Sequence, residues 1–104
     1  MQNGLNNFEL NIQNRAEIEI NEISDYYESL VEGLGTKFYI EVSNYIETLK
    51  SFPFFEKRYS AIRILPLKKF PYSIHFSVDE INSIVTVHAV ILDYRNPDLT
   101  RIKL

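Results

Sequence analysis

Five of the 11 basic side chains, Lys57, Arg58, Arg63, Lys68 and Lys69, fall within 13 consecutive positions that contain no acid. Ammonium and guanidinium groups gathered in this way can hold phosphate or an acidic protein segment. Scattered lysines on a strand also guard a sheet edge against aggregation, so the cluster has a structural use as well. His75 and His88 are the two imidazoles. With no cysteine beside them they make a weak ligand set, and no metal is expected. His75 is expected to face solvent or a partner from a strand, and His88 to sit inside, bonded to a neighbour. Glu17, Glu22, Asp25 and Glu28 recur at helical spacing, which assigns them to the wet face of a helix rather than to acid–base chemistry. The three glycines, Gly4, Gly33 and Gly35, form no phosphate-binding loop. Nucleotide hydrolysis is therefore not expected, and neither is a cofactor.

These groups belong to a chain of 104 residues with a net charge of −3. That mild average divides unevenly: residues 1–56 hold 10 acidic and 3 basic side chains, residues 57–104 hold 4 acidic and 8 basic. The length fits one domain over 1–104, and 7 Phe with 7 Tyr supply much of a core. The absence of cysteine fits a reducing cytoplasm. Apolar runs such as Val87 to Leu92, interrupted by His88, are far shorter than the roughly 20 residues that span a membrane. The start, Met1-Gln2-Asn3-Gly4, lacks the basic residues of a signal peptide, so a soluble, cytoplasmic protein without a membrane partner is expected.

Periodicity supplies the elements that must position these groups. Phe8, Leu10 and Ile12 alternate with polar residues and predict a strand. Asn14 with Glu17 three residues later predicts a capped helix start near Arg15. Ala16, Ile20, Ile23, Tyr27, Leu30 and Val31 form its apolar stripe, with Tyr26 at the margin. Gly33 and Gly35 are expected to end this helix. A second helix follows from Thr36 to about Phe52, burying Phe38, Val42, Tyr45, Ile46 and Leu49, until Pro53 stops it. The short link favours a helical hairpin. Three strands then follow, Tyr59–Leu65, Tyr72–Val78 and Ile84–Leu92, with a turn over Asp79–Ser83. The last is apolar on both faces and is expected to lie inside the sheet. The tail from Asp93 reads as a loop. The expectation is an α+β fold of order β-α-α-β-β-β, a helical hairpin packed on a mainly antiparallel four-stranded sheet.

Four stretches in this order resemble the RelE/ParE toxins of bacterial type II toxin–antitoxin modules, in particular the plasmid stabilisation branch. Ala16 to Ile20 through Asp25-Tyr26-Tyr27-Glu28 is similar to the family's first helix, and Gly33-Leu34-Gly35 with Phe38 to its interhelical turn. Leu65-Pro66-Leu67-Lys68-Lys69-Phe70-Pro71-Tyr72 with Ile74 and Phe76 is similar to its central hairpin, and Arg95-Asn96-Pro97 to its closing motif. The resemblance implies a toxin neutralised by a cognate antitoxin through an acidic segment. Its cellular target would be DNA gyrase in one branch, or ribosome-associated messenger RNA in another. Ile64, Pro66, Ser73, Asp93 and Leu99 align where the RNA-cleaving branch has basic residues and a tyrosine. Leu92 and Thr100 stand where the plasmid stabilisation branch often has a histidine and a tryptophan. The expectation is therefore a ParE-like, noncatalytic toxin whose antitoxin or target binds Arg58, Arg63, Lys68, Lys69 and Arg95. The alternatives are an endoribonuclease using those displaced basic groups, and a decayed, nontoxic member that still binds antitoxin.

Overall fold

The computed structural model of the protein describes residues 7–93. Within them the order is β1 (Glu9–Ile12), α1 (Asn14–Leu30), α2 (Leu34–Thr48), β2 (Lys57–Tyr59), β3 (Ile62–Pro66), β4 (Tyr72–Asp79) and β5 (Ile84–Leu92). The strands form one sheet in the order β1-β5-β4-β3-β2, parallel between β1 and β5 and antiparallel elsewhere. The helical hairpin covers one face. Ala16 and Ile20 from α1 and Phe38, Val42 and Ile46 from α2 bury against Leu65, Ile74, Phe76, Val85, Val87 and Val90. The two expected periodicities thus meet in one core. At one end it is closed by rings of Tyr27, Phe38, Phe70 and Tyr72, with centroids 5.0–6.3 Å apart.

The strand expected over Tyr59–Leu65 is in fact two, which makes the sheet five-stranded rather than four-stranded. Ser60 adopts φ 50, in the left-handed region. The chain reverses over Ser60 and Ala61 so that Tyr59 lies opposite Ile62. Neither residue breaks the apolar alternation, so the turn left no mark on the pattern. A bulge marks β5 as well: Phe76 pairs with Val87 and His75 with Ala89, leaving His88 as the extra residue. The bulge shifts the alternation by one, which turns Val85, Val87 and Val90 all toward the helices. β5 does lie inside the sheet, between β1 and β4.

Helix boundaries also differ from expectation. Asn14 does not cap α1: the cap position is Gln13, with no side-chain capping bond. The Gln13 N–H still bonds to the Val87 carbonyl at 3.0 Å, so the chain stays extended through Gln13 and turns helical only at Asn14. Gly33, at φ 88, is the left-handed residue between the helices, whereas Gly35 lies within α2. α2 ends at Thr48, and the turn that follows is tightened by bonds such as Lys50 N–H to Glu47 O, 3.2 Å. Leu30 and Val31, expected in the stripe, are exposed because the core already ends at the Tyr27–Tyr72 cluster.

Candidate functional site

The face of the sheet turned away from the helices is built from residues that pair side by side across strands. Pro66, Ser73 and Ile91 form one row, and Ile64, His75 and Ala89 the next. Ile64, Ala89 and Ser73 are buried, the last to 1% exposure. A shallow depression of about 370 Å³ opens over them, bordered also by Arg58, Tyr59 and Asp93. The Tyr59 hydroxyl and His75 Nδ1 are 2.9 Å apart, and the rings lie 5.9 Å centre to centre. The Ser73 hydroxyl reaches the Asp93 carboxylate at 3.4 Å. His88 also turns to this side, where its Nε2 bonds Ser77 Oγ at 2.7 Å. The expected bond to a neighbour is present, but His88 is only half-buried and lies on the open face rather than inside, because the bulge turns it away from the helices.

The basic cluster does not assemble there as one patch. Among the described residues, Arg58 is the only lysine or arginine that lines the depression. Arg63 pairs with Phe76 and so projects to the helix side, where it is 8% exposed. Its Nη1 donates to the Phe55 carbonyl at 2.7 Å, its guanidinium lies 5.5 Å from the Phe54 ring centre, and Glu80 stands 4.0 Å away. Arg63 is thus a structural cation that holds down the 52–56 segment. Lys68 and Lys69 sit beside α2, because their backbone N–H groups both donate to the Glu41 carboxylate, at 3.0 and 2.9 Å. Strand alternation and the bend at 67–70 separate what is contiguous in sequence. Arg95 and Leu99 lie outside the described residues.

Chemically, the depression offers one guanidinium, a phenol–imidazole pair, one carboxylate and the Ser73 hydroxyl, with the His88–Ser77 pair farther along the same face. Three positions aligned above with catalytic positions of the RNA-cleaving toxins, Ile64, Ser73 and Asp93, do come together here, carrying an alkyl group, a buried hydroxyl and an anion. The pairing of Tyr59 with His75 was not legible in the sequence, because it depends on the β2–β3 turn. Among the described residues no three His, Asp or Glu side chains gather so as to hold a metal ion, and no helix is long and apolar enough to cross a membrane.

A chain of the chromosomal ParDE TA system from P. aeruginosa superimposes with a TM-score of 0.72 at 19% identity, covering 83% of this chain and 96% of that one. The isolated E. coli RelE toxin aligns over 92% of this chain and 95% of its own at 12% identity, with a TM-score of 0.49 that adds no weight. No family model matches the sequence, and comparison with curated proteins gives no match. The chain has the RelE/ParE toxin fold, as the sequence resemblance implied.

Proposed function

We propose that this chain is the toxin of a type II toxin–antitoxin module, held inactive in the cytoplasm by an antitoxin with an acidic segment. It acts by binding a cellular protein, DNA gyrase, rather than by cutting RNA. The observation that carries this reading is the composition of the open face. Strand cleavage passes through a pentavalent phosphorus bearing extra negative charge, which needs cationic donors around it. Ile64 and Ser73 are neutral, and Asp93 would repel that charge. The likeness to a chain of a ParDE system supports the toxin–antitoxin reading. A second reading rests on the Tyr59–His75 pair beside Arg58, which could serve as a proton-transfer group and a phosphate contact in an endoribonuclease.

One experiment separates the two readings. Expression is induced in a bacterial host, with growth, transcript ends and DNA supercoiling followed together, and purified chain is assayed against gyrase. Growth arrest with gyrase inhibition and unchanged transcript ends supports the proposal. New transcript ends that disappear in His75→Gln support the ribonuclease. Absence of any growth effect, with antitoxin still bound, identifies a decayed toxin and rejects both.

A further inference from the structure

Between α2 and β2 the chain runs through Phe52-Pro53-Phe54-Phe55, three phenylalanines in four positions. Rings of this size are usually buried, yet Phe52 is 74% exposed, Phe54 59% and Phe55 38%. With Ser51 they border a shallow hollow of about 300 Å³. The exposure does not come from a loosely held backbone. Pro53 is fully buried, the Phe55 N–H donates to the Pro53 carbonyl at 2.9 Å, and the Phe55 carbonyl is held by Arg63. Phe54 meets Phe8 edge-on at 5.7 Å, and Phe55 meets Phe76 at 6.1 Å. Beside this segment, the β4–β5 turn carries Ile81 at 94% exposure, and its neighbour Glu80 stands 4.0 Å from the guanidinium that lies under Phe54.

We infer that this aromatic end of the molecule is the contact between two copies of the chain, related by a twofold axis. At about 200 Å² for a fully exposed side chain of this size, the three rings and Ile81 offer roughly 500 Å² of apolar surface. Two copies meeting there remove about 1,000 Å² from water before the polar rim is counted, which reaches the size of a specific interface. Because the segment is already fixed, docking costs little further ordering. Charge selects the same occupant. A twofold contact must complement itself, and the exposed rim carries Glu56 and Lys57 side by side, neither in an ion pair with a described residue. Each can face the opposite sign on the copy. Nucleic acid or an anionic membrane would need an excess of cations, whereas Lys57 is balanced by Glu56, and Lys50 by Glu47 at 2.6 Å. The chain's own ends are poorly suited to cover the rings. Met1 and Leu5 are the only apolar side chains before Asn7, and β5 ends at Leu92, away from the turn that carries Ile81. The inference is independent of the toxin reading and of the open face.

Sedimentation velocity of the full chain over a series of concentrations tests the contact. A monomer–dimer equilibrium is expected, reaching twice the chain mass at the upper end. Phe52→Ser and Ile81→Ser change side chains outside the core, so each should weaken dimerisation by about tenfold or more and leave the melting temperature of the dilute monomer unchanged. Leu30→Ser, at an exposed aliphatic position beside Tyr72 and Leu92, should leave the dimer intact. Lys57→Glu and Glu56→Lys should each weaken association, and the two combined should restore it, because the rim then carries one charge of each sign again. The inference is overturned by a chain that is monomeric at every concentration, by a dimer indifferent to Phe52→Ser and Ile81→Ser, or by one that Leu30→Ser dissociates equally. Retention of a monomeric chain on vesicles of phosphatidylcholine and phosphatidylglycerol, lost in Phe52→Ser, would assign this end to a membrane surface and reject the dimer.

Discussion

The Glu28 carboxylate, projecting from α1, accepts the backbone N–H of Gly35 in the first turn of α2 at 2.9 Å, and its other oxygen accepts that of Gly33 at 2.8 Å. An anion thereby occupies the positive end of α2 and satisfies two N–H groups with no partner inside the helix. Ser24 adds a bond from its hydroxyl to the Gly35 carbonyl, 2.9 Å. Glu28→Ala should lower stability by about 0.5–2 kcal/mol, the range of a lost N-terminal cap, in urea denaturation at neutral pH. An exposed glutamate without this role would show almost no change.

Gly35 makes a sharper case, because helix propensity and packing give opposite signs. Propensity alone favours alanine by about 1 kcal/mol. A Cβ at Gly35, however, would overlap the Ser24 carbonyl oxygen, a backbone atom that cannot rotate away, and crowd Glu28 at 2.9 Å. Overpacking of this kind costs about 1–3 kcal/mol, so Gly35→Ala should be destabilising overall. A raised melting temperature would contradict the close approach of the helices.

Arg63 should behave as a core residue in spite of its charge. Arg63→Ala removes the bond to the Phe55 carbonyl and the contact under Phe54, at a cost of about 1.5–3 kcal/mol for a charge-assisted bond. Arg63→Met, which keeps the stem packing, should lose less. Thermal denaturation of the three proteins checks the order, and equal melting temperatures would place Arg63 on the surface.

Tyr27 sets an alkaline limit. Burial, then the neighbouring Tyr72 and Tyr26, push its hydroxyl up from 10.0 to about 12. Between those values the unfolded chain releases the proton while the folded one keeps it, so the stability associated with Tyr27 is intact below pH 10 and declines as pH rises toward 12. Tyr27→Phe should narrow the loss of stability over that interval, read from urea midpoints at stepped pH.

The β4–β5 turn gives an acid dependence of the opposite sign. The Asn82 side-chain amide, then its backbone N–H, hold the Asp79 carboxyl below its ordinary value, through bonds of 2.8 and 3.1 Å. The turn is therefore fully supported above the ordinary carboxylate value and loses that support as pH falls through the lowered one. An NMR titration of Asp79 should move toward the ordinary value in Asn82→Ala. An unmoved titration would mean that the turn is held by other contacts.

Local pattern alone determined the order of the elements apart from the β2–β3 turn, the inward faces of α1 and α2, the alternating strand at Tyr72–Val78 and the interior place of β5. These depend on period and on turn chemistry, which a chain carries residue by residue. Tertiary structure decided which neighbour each polar group meets. It split the expected strand at Ser60, sent Arg63 beneath Phe54, bound Glu28 to α2 and Glu41 to the 67–70 bend, and joined Tyr59 to His75 across a hairpin. It also brought Lys37 from the acidic half of the sequence beside Lys68 and Lys69. Periodicity fixes the side of an element on which a side chain lies, whereas its hydrogen-bond partner depends on register and on the packing of segments distant in sequence.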